Sequence, residues 1–366
     1  MSQTTTRGRL LSIFLLLCVQ LIGPNSTRAA RAQTLNFHVL WSGKMRLAPS
    51  VNAGWARIAE QSDVYAVLMR SENNDWLQVK TPSGPLWVPL AMGSVNGDLT
   101  PVPAIKPNYG AIPPNPSRAA LPNWLSIPSL PRAKALLQAA AKAGRDMRFF
   151  TVAGDSNALW FSYHGRIGTG NFEYGRNGYL RNTVVARFDP SFAHEGVAVG
   201  GGLRAADMFD ASRNKPPICR GDEGVLACEL RTSKASIVLV QLGTGDKFVW
   251  KDFEDNYRAI LNYALANNVL PILFTKADDL DSQHGGASQD TLNNVIRKLA
   301  AEYQLPMADL YAATRSLPTI PNPELPTRPF TKTGLKDEWG HYFHLTDEAR
   351  ILKLFGTLHM LDVLTR

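Results

Sequence analysis

The sequence predicts an α/β protein built on a doubly wound parallel sheet and preceded by a small all-β barrel. Three observations carry this expectation. Beyond residue 145, continuous apolar runs end in glycine and alternate with segments whose apolar residues recur at helical spacing. Between residues 35 and 98, short apolar runs are separated by turn signals. Nine prolines fall between residues 99 and 132 and divide the two patterns.

The first element is an address. Arg7 and Arg9 precede an apolar run from Leu10 to Gly23, and Ala30-Arg31-Ala32 follows. A basic head, an apolar run and a small-x-small site describe a secretory signal peptide over residues 1–32. The run is shorter than the ~20 apolar residues that cross a bilayer. A secreted or cell-surface protein with no stable membrane span after processing is therefore expected. Of the three cysteines, Cys18 lies in the leader, which leaves Cys219 and Cys228 as an even pair. In an oxidising compartment a disulfide between them is expected, two free buried thiols being the alternative.

In residues 35–98, Asp63–Met69, Trp76–Val79 and Leu86–Val88 read as strands, with turns at Ser71–Asp75 and Pro82–Pro85. Residues 99–130 read as a proline-rich, semi-extended tether, because proline fixes φ and removes a donor. A tether implies that residues 130–366 fold without the barrel. In residues 131–366 the buried strands are Phe149–Ala153, Gly196–Val199, Ala235–Leu242, Val269–Phe274 and Pro306–Leu310. Between them, Phe253, Tyr257, Ile260, Leu261 and Ala264 form one amphipathic face, and Leu292, Ile296, Leu299 and Tyr303 another. In such sheets functional loops gather at the carboxyl ends of the strands. Gly154, Gly200 and Gly243 fall there.

Chemistry-bearing residues follow those glycines. Gly154-Asp155-Ser156 leaves the first strand and presents a serine at the top of the sheet. His344 stands before Thr346, a good helix N-cap, and before the apolar face Ile351, Leu352, Leu354, Phe355 and Leu358. A serine hydroxyl needs a nearby base to become a nucleophile. A first-strand serine and a histidine before the last helix can meet over one sheet edge.

This arrangement resembles the SGNH (GDSL-type) hydrolase family over about residues 145–366, which implies a flavodoxin-like sheet. The resemblance makes Ser156 the nucleophile, His344 the general base and Gly200 an oxyanion-hole amide. The third family block, usually Gly-x-Asn-Asp, reads Gly243-Thr244-Gly245-Asp246, so Gly245 replaces a side-chain donor. The fifth, usually Asp-x-x-His, reads His341-Tyr342-Phe343-His344, so His341 replaces the supporting carboxylate, and Asp337, Glu338 or a backbone carbonyl is the candidate to take its role. The resemblance implies a secreted esterase acting on a small-molecule or glycan ester, with Asp155 beside the nucleophile and no cofactor. The alternative is a catalytically degenerate domain that binds extracellular glycan. Met45-Arg46-Leu47-Ala48-Pro49, Asp75–Val79 and Gly84-Pro85-Leu86-Trp87-Val88 resemble the bacterial Src-homology-3-like domain, which implies either contact with the cell wall or a spacer that packs on its own enzyme domain.

Composition excludes other classes. Apolar residues at 45% and charged residues at 19% are globular values. Half of the net charge of +8 comes from four arginines in the first 32 residues, and the rest form no basic stripe, so nucleic acid is not an expected partner. His341-x-x-His344 lacks a third ligand at motif spacing, so no metal is expected. Asp278, Asp279 and Asp281 read as a solvated loop.

Overall fold

The computed structural model describes residues 35–213, 216–277, 281–315, 345 and 347–366. The leader with Cys18, and Asp278, Asp279, Asp337, Glu338, His341, His344 and Thr346, lie outside them.

Alternating apolar residues build the N-terminal sheet. Its strands are β1 (Asn36–Val39), β2 (Gly43–Arg46), β3 (Trp55–Ala59), β4 (Val64–Ser71), β5 (Trp76–Thr81), β6 (Gly84–Pro89) and β7 (Gly93–Val95). They pair antiparallel in the order β3-β2-β6-β5-β4-β1-β7. The three expected strands correspond to β4, β5 and β6. Gly84, at φ +109°, turns the chain between β5 and β6. Phe37, Met45, Leu77, Val79 and Val88 fill the core of this sheet together with Trp160, which comes from far along the chain.

The proline-rich segment does not hang free. Within it β8 (Ala104–Ile105) pairs parallel with β4, and β9 (Leu125–Ser126) joins the edge of the second sheet. Arg148 donates to the carbonyls of Gly110 (2.6 Å) and Tyr109 (3.1 Å). Ser117 Oγ donates to Asp362 Oδ2 at 2.8 Å. Prolines remove donors, so this segment is held by side chains reaching its carbonyls and by its own polar side chains. It is a strap, where a tether was expected.

The second sheet contains β10 (Asp146–Gly154), β11 (Ala235–Gln241), β12 (Leu270–Phe274) and β13 (Met307–Ala308), parallel and adjacent in that order, with β9 antiparallel at the edge. Every residue of β11 and β12 is buried, so both faces are covered. The covering helices are α1 (Leu130–Lys142), the short α2 (Gly165–Gly168), α3 (Val225–Thr232), α4 (Phe253–Ala266), α5 (Thr291–Tyr303), α6 (Leu310–Arg315) and α7 (Asp347–Leu364). Ser129 caps α1 by accepting from the Arg132 amide, with Pro131 in the first turn. The expected strand Gly196–Val199 contributes a single parallel bridge, Val199 to Gly154. β10 is therefore flanked by the second and third apolar segments of this unit, the point where a doubly wound sheet reverses its strand order.

Leu35–Arg366 forms one compact unit. Trp76 and Trp87 of the N-terminal sheet and Val51 of its β2–β3 loop are buried in the main core with Phe150, Val152 and Leu239. Each sheet thus contributes side chains to the core of the other.

Candidate active site

Gly154 ends β10 where the backbone is most crowded. A Cβ there would sit 2.5 Å from Ala158 Cβ and 2.6 Å from Gln241 O, so only glycine makes this turn. Ser156, partly exposed, begins a short 3-10 turn through Ala158. Asp155 is buried and clamps the turn: its Oδ1 accepts from Asn157 N (2.9 Å) and its Oδ2 from Thr244 N (3.3 Å). The Ser156 loop is thereby tied to the loop after β11. Burial pushes the Asp155 carboxyl up, and these two amides and the Lys353 charge oppose that.

Asn157 links the loop to the last helix. Its Oδ1 accepts from Leu345 N at 3.2 Å. Its carbonyl accepts from Lys353 Nζ, which also donates to Gln241 Oε1 at 2.7 Å and lies 3.6 Å from the Tyr163 ring centroid. Lys353 is fully buried, and burial lowers its pKa well below the ordinary lysine value against the pull of Asp155. A cavity of about 10 Å³, room for about one water, is lined by Asp155, Asn157, Gln241, Thr244, Lys276 and Leu345.

The expected oxyanion groups are placed less simply. The Gly200 amide donates to Gly154 O at 3.2 Å, so it is committed to the backbone and not free for substrate. Gly245 lies against the loop after Gly200: a Cβ on it would be 2.8 Å from Leu203 O and 2.9 Å from Gly202 O. Close packing therefore accounts for the glycine where the family block has asparagine. Next to it, Asp246 accepts from Ala205 N at 2.9 Å through Oδ1, while its buried Oδ2 has no partner among the described residues. Burial, with the Asp155 and Asp207 charges, pushes Asp246 up to about 7.

Asp281 corrects the expectation of a solvated loop. It is buried, and both its oxygens accept from Lys276 Nζ at 2.6 Å. The Lys276 stem packs on Gly243, whose φ of +131° and absent side chain admit it. Cys219 and Cys228 are joined as a disulfide with Cα atoms 5.2 Å apart. Of the expected site residues, Asp155, Ser156, Gly200 and Gly245 gather at the ends of β10 and β11, and His344 and Asp337 lie outside the described residues. Asn157, Gln241, Asp246 and Lys353 are the residues that sequence reasoning missed. The one signal for Lys353 is its place between Leu352 and Leu354 in a helix with apolar residues on every side.

No family model matches the chain, and no curated protein matches it. Among solved structures, the chain is similar to one from Desulfitobacterium hafniense DCB-2 called a "putative lipolytic protein of G-D-S-L family". The identity is 13% and the TM-score 0.33, over 58% of this chain and 98% of that one. It is also similar to a GDSL-like lipase from Bacteroides thetaiotaomicron VPI-5482, at 11% identity and TM-score 0.35, over 63% of this chain and 98% of that one.

Proposed function

We propose that the protein is an exported serine esterase of the SGNH type, in which Ser156 is the nucleophile and His344 the general base. One observation carries this reading most. Leu345 N donates to Asn157 Oδ1, which ties the residue after His344 to the residue after Ser156. One peptide bond separates Leu345 from His344, and another separates Asn157 from Ser156. The disulfide Cys219–Cys228 supports export, since such bonds persist in oxidising compartments.

In this mechanism Ser156 Oγ attacks the ester carbonyl carbon as His344 takes its proton. The tetrahedral oxyanion is held by the Ser156 amide and by backbone near Gly245. Collapse expels the alcohol, which takes the proton from His344, and leaves an acyl-serine. Water, deprotonated by His344, then attacks the acyl carbon and releases the acid. Asp337 is the carboxylate proposed to orient His344. With Gly245 in place of a side-chain donor, the rate falls short of a complete oxyanion hole by about 10²–10³.

Hydrolysis of p-nitrophenyl acetate tests the reading. Ser156→Ala and His344→Ala should each abolish turnover, and the double variant should be no worse, because members of one catalytic unit are not additive. Turnover that survives Ser156→Ala would overturn the assignment.

A further inference from the structure

A second pocket, of about 240 Å³, opens between the N-terminal sheet and the segment that leads from α2 to residue 185. Among the described residues it shares no lining residue with the small cavity at Asp155 and Asn157. Among the described residues, three cations line it, Lys44, Arg46 and Arg181, with three aromatic residues, Trp55, Phe172 and Tyr174, and no carboxylate does.

Arg46 is the unusual member. It ends β2 with only 3% of its surface exposed. Its Nη1 donates to Ala53 O at 3.1 Å, but its buried Nε has no partner among the described residues. Gly170, at φ +78°, brings bare backbone against it: a Cβ there would lie 3.1 Å from Arg46 Nη2 and 2.5 Å from Lys44 Cδ. Lys44 Nζ lies 5.3 Å from the Trp55 ring centroid, and Trp55 remains half exposed. Burial lowers the Arg46 pKa to about 10; Asp189 opposes that, and Arg181 adds to it. Asp189 is the carboxylate facing this group, but it is engaged by Ser50 Oγ, Asn52 Nδ2 and the amides of Val51 and Asn52. A guanidinium buried beside two other cations is costly unless an anion joins them.

We propose that this pocket binds an acidic sugar residue, its carboxylate on Arg46 and Arg181 and its ring against Trp55 and Tyr174. Arginine takes a carboxylate through paired N–H donors. The volume falls below the range of drug-sized ligand sites and suits one sugar ring with its acid group. The aromatic lining offers flat apolar faces to the C–H face of such a ring, which a bare anion would leave uncovered. The proposal is independent of the role of Ser156.

Calorimetric titration of the full chain with digalacturonate, galactobiose and inorganic phosphate tests it. Digalacturonate should bind, while the neutral disaccharide should bind at least about tenfold more weakly. Arg181→Gln and Trp55→Ala, both at exposed positions, should each weaken digalacturonate about tenfold without changing the melting temperature. Arg46→Lys should weaken it as well, because an ammonium cannot pair side-on with a carboxylate. Fluorophosphonate labelling of Ser156 should be the same in all of these variants. No binding up to about 10 mM, equal binding of the neutral disaccharide, or phosphate that binds tightly and is not displaced by digalacturonate would each overturn the proposal.

Discussion

A β-carbon at position 245 has nowhere to go, and that single contact revises what a repair of the site can achieve. The family block suggests that Gly245→Asn would restore an oxyanion donor. The carbonyls of Leu203 and Gly202, at 2.8 and 2.9 Å from the new Cβ, are backbone and cannot swing aside. Overpacking of this kind costs about 1–3 kcal/mol. Gly245→Asn should therefore lower the melting temperature and fail to raise esterase activity; a faster enzyme of unchanged stability would contradict this. Lys353 sets a second test. Lys353→Met removes the donor to Asn157 O and Gln241 Oε1, and buried acceptors left unpaired cost about 1–3 kcal/mol. Calorimetry should show that loss of stability, and the rate of Ser156 acylation should fall because the loop loses its anchor. The place of Ser156 at a strand exit was legible in the sequence because Gly-Asp-Ser follows a continuous apolar strand. Asn157 and Lys353 were not, since an amide beside a serine and a lysine in a helix carry no local sign of burial. Asp281 misled for the same reason: a run of acids reads as solvated until its buried partner, Lys276, is known.

At the scale of elements, α7 is held by a close contact with the strap. Gly356 lies in its interior, where alanine would ordinarily stabilise by about 1 kcal/mol. Here a Cβ would lie 2.1 Å from the Trp124 ring, which belongs to the proline-rich strap. The overpacking cost exceeds the propensity gain, so Gly356→Ala should destabilise by about 1–2 kcal/mol, read from urea melts. A gain in stability would show that the strap does not press on α7. The disulfide is a second element-scale constraint. Its cysteines are nine positions apart, so replacing Cys219 and Cys228 with serine should cost about 2–3 kcal/mol in the chain-entropy model, read from urea melts. The parallel strands were legible from their apolar runs, with two exceptions. Gly196–Val199 is pinned at one bridge because Glu229 accepts from Val197 N at 2.7 Å and takes up backbone that a ladder would use. Pro306–Leu310 shortens to β13 because Leu310 already begins α6. The strap was illegible because prolines announce extended chain but not what it is fastened to.

At the scale of the whole molecule, His194 joins the two sheets. Its Nδ1 donates to Asp75 Oδ1 of the N-terminal unit at 2.7 Å, and its Nε2 to Glu229 Oε1 of α3 at 3.0 Å. Burial pulls the His194 pKa down, but the two carboxylates outweigh it and hold the imidazolium well above the ordinary histidine value. Glu229 is lowered, burial being outweighed chiefly by the His194 charge. The signs follow. The His194 contribution is complete below about pH 6.5 and is lost as pH rises through its raised pKa. The Glu229 contribution is present above the ordinary carboxylate range and is lost as pH falls through its lowered pKa. Wild type should therefore lose melting temperature on the alkaline side, and His194→Asn should show a flatter alkaline limb and lower stability at neutral pH, by about 3–5 kcal/mol. Parallel pH profiles for the two would refute the linkage. The same junction predicts that residues 130–366 expressed alone are unfolded by circular dichroism, because Val51, Trp76 and Trp87 leave the main core with the N-terminal sheet.

We propose that Ser156, at the point where the sheet reverses its strand order, is a nucleophile. Peptide mapping after exposure of the full chain to a fluorophosphonate addresses it directly, because covalent transfer needs an activated serine and not merely a bound ligand. One adduct is expected, on Ser156, lost in Ser156→Ala and strongly slowed in His344→Ala. An unlabelled wild type, or an adduct on another serine that persists in Ser156→Ala, would contradict it.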